Sequence, residues 1–219
     1  DPYLLGLWLG DGYSNTTIIT NVDPEIIEYL YEEAKMMGMK LINGHNTDFH
    51  KGSMDYRFSS LSERKNSNVF LNFLKDNNLI QNKHIPHDYK INLRKNRLRI
   101  LAGLIDSDGY WANNSFYEIV QKNETLANDI VFVARSLGFW AHIRPVQKGC
   151  HYKGEYREGT YHKVTFGGDN LHEIPVLVPR KKAPNFQRKQ KDALHYKINV
   201  EYVGVDEYFK HFNYARPHQ

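Results

Sequence analysis

The sequence predicts an α+β protein made of two similar halves, each an antiparallel sheet with helices on one face. Residues 4–13 align with residues 101–110, and residues 21–38 align with residues 121–138, so the chain contains an internal repeat. Within each copy, helix-like and strand-like patterns alternate in the same order. Copies of this length are too long for a solenoid unit and suit a duplicated half-domain. We therefore expect a pseudo-two-fold arrangement within one chain.

Each copy starts with an apolar segment that ends on an acid and a glycine, which is typical of a buried helix. These two helices are predicted at 4–9 and 97–105. A segment rich in β-branched and aromatic residues follows in each copy and predicts strands at 16–20 and 116–120.

An amphipathic helix is predicted next in each copy. Asp23 and Asn123 suit its N-cap, and Gly38 and Gly138 suit its end. The same kinds of pattern predict four further strands and one further helix, at 40–43, 55–59, 140–146, 161–166 and 67–76 respectively.

Composition excludes several classes of protein. The chain has 219 residues, 41% hydrophobic and 13% aromatic, which is enough to build a core and argues against a disordered or collagen-like chain. Its mean hydropathy of −0.64, without a long apolar run, predicts no membrane segment, and its start does not resemble a signal peptide. The single cysteine, Cys150, cannot form an intramolecular disulfide and favours a reducing compartment. The eleven histidines show no zinc-site spacing and are interpreted as surface residues.

The formal net charge is only +4, but basic residues cluster at 94–99, 180–182 and 188–191. Such clusters are usually solvated faces, and nucleic-acid contact is the alternative that the repeat supports.

Small residues mark one side of each predicted apolar helix. Gly6 and Gly10 align with Gly103 and Ser107, so the two helices could approach each other backbone to backbone. For the glycines alone, ordinary helix packing in a core is the favoured explanation.

The acids that end these helices are harder to explain by packing. Asp11 and Asp108 converge if the two helices pack at a pseudo-two-fold axis, and two converging carboxylates repel unless a cation neutralises them. Oxygen ligands without a Cys or His cluster suit Mg²⁺ or Mn²⁺. The backbone carbonyls of Gly10 and Ser107 could complete the oxygen shell, or could be plain helix backbone.

The motif itself resembles a known one. Residues 101–109 read Leu-Ala-Gly-Leu-Ile-Asp-Ser-Asp-Gly, which resembles the LAGLIDADG signature of homing endonucleases and departs from it only at Ser107. Residues 4–12 look like the looser partner copy of single-chain members. The resemblance extends to about Pro184, and its order of blocks is most similar to intein-encoded endonucleases of the vacuolar-ATPase type.

This resemblance implies αββαββα halves whose sheets form a saddle over DNA, with the first half at 1–96, the second at 97–190 and a tail at 191–219. It implies a monomeric, site-specific endonuclease that cuts both strands of a long asymmetric DNA target with Mg²⁺ or Mn²⁺. By the same resemblance Asp11 and Asp108 are the metal-binding and catalytic acids. Asp106 aligns with Leu9 of the other copy, so we expect it to be a structural hydrogen-bonding residue.

The resemblance also implies one catalytic lysine in each half. Lys83 stands three residues before Pro86, and Lys181 stands three residues before Pro184. Lys182 is the second choice in the second half, and a solvated loop lysine is the alternative for each. A lysine at these positions could polarise water or neutralise the scissile phosphate.

DNA contacts are expected from polar side chains on the strands, since such residues can read base edges from a β-ribbon. Each of them is equally well explained as an exposed polar strand residue. The candidates are Thr17, Thr20, Asn46, Arg57, Ser59, Gln121, Lys122, Arg144, Gln147, Lys163 and Thr165.

Residues 196–208 alternate like a strand pair and resemble the start of an intein splicing block. Because the sequence begins with Asp1 and ends with Gln219, we do not expect the chain as given to splice. The alternative function is a cleavage-inactive DNA- or RNA-binding relative, such as a maturase or a regulator. Two retained acids that would repel each other favour the enzyme.

Overall fold

The computed structural model describes residues 1–44, 54–62, 64, 67–152, 155–185, 200–202 and 204. The helices are α1 (Pro2–Asp11), α2 (Pro24–Met36), α3 (Val69–Asp76), α4 (His87–Lys90), α5 (Arg94–Asp108) and α6 (Glu124–Ser136). The strands are β1 (Ile18–Thr20), β2 (Met39–Asn43), β3 (Asp55–Ser60), β4 (Gly109–Ala112), β5 (Phe116–Gln121), β6 (Trp140–Tyr152) and β7 (Glu155–Gly167). Short 3-10 helices lie at Leu171–Glu173 and Pro179–Lys181. The predicted α+β class is confirmed, but the αββαββα order is incomplete in both halves: the first has a single strand between α1 and α2, and the described part of the second has no α-helix after β7.

Within the described residues, the strands form two antiparallel sheets, ordered β1-β3-β2 and β4-β5-β7-β6. The first sheet lacks a full counterpart of β4, which is reduced to a single bridge between Gly12 and Ile19. The reason is a tight turn: the Thr16 amide donates to the Tyr13 carbonyl at 3.2 Å, so the chain reverses before a strand can form.

The helix ends follow the predicted glycines, but one predicted cap behaves differently. Gly38 and Gly138 have φ values of +65° and +92°, a region that favours glycine. Asn123 caps α6 by accepting from the Leu126 amide at 3.1 Å. Asp23 precedes α2, but its carboxylate accepts two bonds from Arg180 instead of capping the helix.

The ends of the two halves also differ. The first half closes with α3, whereas the described part of the second half closes with the two 3-10 helices. The strand pair predicted at 196–208 lies almost wholly outside the described residues. No helix of the described part is long and apolar enough to cross a bilayer.

The centre of the molecule is the contact between α1 and α5, which buries both helices in one core shared by the two sheets. A Cβ added to Gly6 would lie 2.4 Å from the Ile100 carbonyl oxygen, and one on Gly103 would lie 2.3 Å from the Tyr3 carbonyl oxygen. The two helices therefore touch through their backbones at the glycines, which is the close approach that the small residues of the repeat allow.

Substituting Gly103 with alanine is expected to lower the free energy of unfolding by about 3 kcal/mol, because the added methyl group forces α1 and α5 apart. Gly159→Ala is the matched control, since its Cβ would find only an ordinary contact, 3.6 Å from the ring of Tyr161. Urea denaturation of both variants measures the difference. A Gly103→Ala protein as stable as the control would contradict the backbone contact.

Each sheet packs one face on the core. The other face carries mainly polar residues, and we call it the open face of that sheet. Register places Thr20, Lys40, Asp55, Arg57 and Ser59 on the open face of the first sheet. It places Tyr110, Glu118, Arg144, Lys163 and Thr165 on the open face of the second sheet.

Candidate active site at the ends of the paired helices

Asp11 and Asp108 are the last residues of α1 and α5, at the place where the two helices meet. Asp108 Oδ2 lies 3.4 Å from the position a Cβ on Gly10 would occupy, so the second acid reaches the end of the first helix. Burial, and after it the charge of Asp108, raise the pKa of Asp11 to about 6. The predicted convergence of the two acids is thus present in the structure.

An amide side chain holds each acid. Asn21 donates to Asp11 Oδ2 at 3.1 Å, and Gln121 donates to Asp108 Oδ2 at 2.6 Å. Asn21 directly follows β1 and Gln121 is the last residue of β5, and the two occupy matching positions in the repeat. Sequence reasoning missed Asn21 and assigned Gln121 to DNA contact, although the alignment of the two amides was the signal that could have paired them with the acids.

Lys83 lies against the end of α1. Its ammonium group donates to the carbonyls of Gly10 at 3.1 Å and Gly12 at 2.6 Å, and it lies 5.2 Å from the centre of the Trp8 ring. Burial lowers the pKa of Lys83 to about 8. A cation at the negative end of a helix is electrostatically favoured.

Lys181 occupies the matching place at the end of α5. Its ammonium group donates to the carbonyls of Ile105, Asp106 and Ser107 at 2.9, 2.8 and 3.0 Å. The side chain is buried, and burial lowers its pKa. Lys182 is exposed, so the structure brings Lys181, and not its neighbour, to the end of the helix.

The carbonyls predicted as metal ligands are therefore engaged by lysines. Gly10 accepts from Lys83, and Ser107 accepts from Lys181. A carbonyl oxygen has two lone pairs, so each can accept a second partner. Their role as ligands stays a prediction.

Asp106 has a structural role, as expected from its alignment with Leu9. It is buried and accepts from the Tyr3 hydroxyl at 2.7 Å and from the amides of Leu177 at 2.7 Å and Val178 at 3.2 Å. These bonds fasten the segment that precedes Lys181 to α5.

The last part of the first half, residues 77–93, leads into the second half and is bound to it; we call it the connector. Asn123 donates to the Lys83 carbonyl at 2.9 Å, and the Ile85 amide donates to Asp129 Oδ2 at 2.8 Å. Lys90 forms an ion pair with the same Asp129 carboxylate at 2.6 Å. The backbone that carries the first-half lysine is thus positioned by side chains at the start and middle of α6.

A second link joins the halves near the site. Arg180 forms two bonds to the Asp23 carboxylate, at 2.6 and 2.9 Å, next to the buried Lys181. The bond to Arg180 outweighs the effect of burial and holds the pKa of Asp23 below its usual range.

The structure divides the predicted DNA contacts. Three of them are buried, which removes them as direct contacts: Thr17 donates to the Phe58 carbonyl, Thr165 donates to Glu118, and Gln121 donates to Asp108. These corrections arise because strand ends and hydrogen-bond partners decide exposure. The candidates that lie on the open faces and are not buried are Thr20, Arg57, Ser59, Arg144 and Lys163.

The remaining three candidates lie elsewhere. Lys122 is exposed just after β5, and Gln147 is exposed on β6, where it donates to Thr160 at 3.0 Å. Asn46 lies outside the described residues.

The site has few protein ligands to offer a metal ion. In the part of the chain that the structure describes, no group of three or more His, Cys, Asp or Glu side chains could hold one. Two carboxylates remain, Asp11 and Asp108. This donor set suits Mg²⁺, which is usually held by one or two carboxylates together with waters and substrate phosphates.

Comparison with known proteins gives one matching family model and two similar proteins that we describe here. Residues 84–191 match the family model described as homing endonuclease. The chain is 31% identical, over 216 aligned positions and 81% of its length, to the homothallic switching endonuclease of Saccharomyces cerevisiae. It is also 31% identical over 138 positions, 63% of its length, to the replicative DNA helicase DnaB of Mycobacterium intracellulare. The chain spans only 36% and 19% of these two proteins.

Solved structures of the homing endonuclease I-DmoI are also similar to this chain. A structure of its mesophilic variants superposes with a TM-score of 0.46 at 18% identity, covering 79% of this chain and 93% of that one. A complex of I-DmoI with DNA and Mn gives a TM-score of 0.46 at 20% identity, covering 76% and 88%. The family model therefore identifies residues 84–191 as a homing endonuclease region, and the similarity to the yeast relative extends over 81% of the chain.

Proposed function

We propose that this chain is a site-specific endonuclease that cuts both strands of a long, asymmetric DNA target by metal-dependent hydrolysis. The observation that carries the proposal is the paired site at the ends of α1 and α5. Each helix ends on an acid held by an amide, and a lysine, half-buried in the first half and buried in the second, caps its carbonyls. A site built twice in one chain suits two scissile phosphates, one on each strand.

The chemistry follows from the charges at the site. Asp11 and Asp108 would hold Mg²⁺ or Mn²⁺, with the Gly10 and Ser107 carbonyls as further candidate ligands. Such an ion, when bound, lowers the pKa of a coordinated water and stabilises charge on phosphate oxygens. Asn21 and Gln121 orient the two carboxylates.

Lys83 and Lys181 supply fixed positive charge beside the place of the scissile phosphates. Their ammonium groups are held by backbone carbonyls, so little reorganisation accompanies the appearance of negative charge in the transition state. Lys83 also lies beside the Trp8 ring, which shields it from water.

The open faces of the two sheets are the proposed DNA-binding surface. They present Arg57 in the first half and Arg144 and Lys163 in the second, and a β-ribbon can enter the major groove. Thr20 and Ser59 add neutral hydrogen-bonding groups.

We propose that one chain forms the complete enzyme, with halves at 1–96 and 97–190, because both sets of site residues and one shared core come from one polypeptide. An intein-encoded origin is supported by the helicase match, which covers only a small part of that protein.

Cleavage of a plasmid library that carries candidate insertion sites, with and without Mg²⁺, tests the function directly. We expect metal-dependent double-strand breaks at one enriched sequence, detected by sequencing the new ends. The double variant Asp11→Asn/Asp108→Asn is the control and should produce none. Binding without cleavage by the intact protein in Mg²⁺ and in Mn²⁺ would instead support the cleavage-inactive alternative.

Binding to the enriched site is expected to weaken about 100-fold between low and physiological salt, since several Lys and Arg side chains neutralise phosphates. Gel filtration of the complex should show one chain per duplex. Two chains per duplex, or an affinity unaffected by salt, would contradict the single-chain saddle.

A further inference from the structure

Two tyrosines lie next to the paired acids and are not used by the chemistry above. Tyr13 and Tyr110 each stand two residues after a motif aspartate, at matching positions in the repeat. Their side chains are exposed, with 40% and 48% of their surface accessible. Each therefore presents its ring and phenol oxygen at the edge of the active site, over the open face of its own sheet.

Each phenol donates its proton to a carboxylate of the open face. The Tyr13 hydroxyl donates to Asp55 Oδ2 at 2.9 Å, and the Tyr110 hydroxyl donates to Glu118 Oε2. These two carboxylates are only 5% and 7% exposed, so the tyrosines, and not the acids, are what a ligand on this face would touch.

A threonine opposes the acid in each sheet. Thr20 lies directly across from Asp55 and donates to its Oδ1 at 2.6 Å. Thr165 lies directly across from Glu118 and its hydroxyl is 3.5 Å from Oε1. Lys163 adds an ion pair of 2.6 Å to Glu118.

The acid and the threonine exchange strands between the two halves. In the first sheet the acid is on β3 and the threonine on β1, whereas in the second the acid is on β5 and the threonine on β7. In the repeat, β1 corresponds to β5 and β3 corresponds to β7. A simple duplication would therefore leave the acid on the same strand in both halves. The same arrangement of tyrosine, acid and threonine is therefore present in both halves although only the tyrosines align.

The arrangement fixes the hydrogen-bonding role of each phenol. An ionised carboxylate only accepts hydrogen bonds, so the phenol proton must point into the sheet. The Thr20 hydroxyl also lies within hydrogen-bond reach of the Tyr13 oxygen. A phenol oxygen has two lone pairs, so each tyrosine keeps acceptor capacity for whatever lies above the open face. A free tyrosine could donate or accept, but Tyr13 and Tyr110 are held as acceptors.

We propose that Tyr13 and Tyr110 determine base preference, each selecting a base edge that presents an exocyclic amine at one position of its half-site. In the major groove, where the open faces are proposed to lie, such edges are cytosine N4 and adenine N6. The inference rests on the proposed function, because it needs DNA on the open faces. We expect each tyrosine to favour the amine-bearing bases about tenfold at its position.

Selection from a library of randomised sites, by binding and by cleavage, tests the inference. Tyr110→Phe should remove the preference at one position of one half-site, and Tyr13→Phe should do so at the matching position of the other. Tyr31→Phe is the matched control, since Tyr31 is 46% exposed but lies on α2. Glu118→Gln should relax the preference at the Tyr110 position, because an amide can either accept from the phenol or donate to it.

The possible failures are distinguishable. An enriched site whose base preferences survive both Tyr→Phe substitutions would overturn this inference and leave the proposed function standing. If the wild-type protein enriches no site at all, both the proposed function and this inference fail. Because each half is tested by its own variant, poor folding of one variant leaves the other decisive.

Discussion

Asparagine in place of Asp11 or Asp108 is expected to abolish double-strand cleavage, with a loss of at least about 100-fold, while DNA affinity falls by less than about threefold. Each acid is held by an amide at the end of a buried helix, so the substitution removes a metal ligand and leaves the open faces intact. Linearisation of a supercoiled target plasmid and filter binding measure the two effects. Asp169→Asn, at an exposed acid after β7, is the control.

Unfolding experiments show whether the Asp11→Asn variant loses cleavage only because its fold is less stable. The raised pKa of Asp11 means that its charge destabilises the folded metal-free protein, an effect that grows from pH 4 upwards and is complete above the folded value of about 6. Asp11→Asn should therefore be more stable than the wild type at pH 7.5, by on the order of 1–3 kcal/mol, and equal to it near pH 4. Full cleavage by either variant would overturn the metal assignment.

Removing either Lys83 or Lys181 should slow the cutting of one DNA strand by about 100-fold and affect the other strand less. Lys83→Ala and Lys181→Ala should show opposite strand biases, because each ammonium group is fixed at the end of a different helix. Nicking assays with each strand labelled in turn measure the bias.

The neighbouring Lys182 is the natural control for this experiment. Lys182→Ala should cut both strands at the wild-type rate, since the side chain is exposed and Lys181 keeps its three carbonyl partners. A strong defect in Lys182→Ala, with normal cutting by Lys181→Ala, would reverse the assignment in the second half. Equal slowing of both strands by Lys83→Ala would contradict one lysine for each strand.

The repeat was enough to predict the pair of helices. Each helix depends on local features, which are small residues on one side of an apolar segment and an acid at its end. The order of strands and helices follows from the same local patterns and from the helix-ending glycines. Both predictions hold since the nearest chain neighbours decide them.

Features that depend on distant partners could not be predicted in this way. Thr17 and Thr165 have the composition of exposed strand residues, and only the register of the sheets shows their internal acceptors. Asp23 stands at the position of a helix N-cap in the sequence, but its carboxylate accepts a hydrogen bond from Arg180, which is far along the chain. Gln121 looks like a base reader until the end of β5 is placed beside Asp108.

The choice between Lys181 and Lys182 shows how weakly sequence spacing distinguishes two neighbouring residues of the same type. Spacing to a proline favoured Lys181, but the two differ by one residue and both are basic. The 3-10 helix Pro179–Lys181 turns the first of them inward against α5 and leaves the second outside. A local turn of three residues therefore separates two lysines that sequence spacing can barely rank.

The binding of the connector to α6 has a consequence for hybrid nucleases assembled from two parents. A junction at 96/97 would take Lys83 from one parent and its supports, Asn123 and Asp129, from the other. In the first half the lysine contacts two backbone carbonyls, which any parent supplies, and the Trp8 ring, which the other parent would have to match. The connector should therefore travel with the second half, and the seam belongs just after α3.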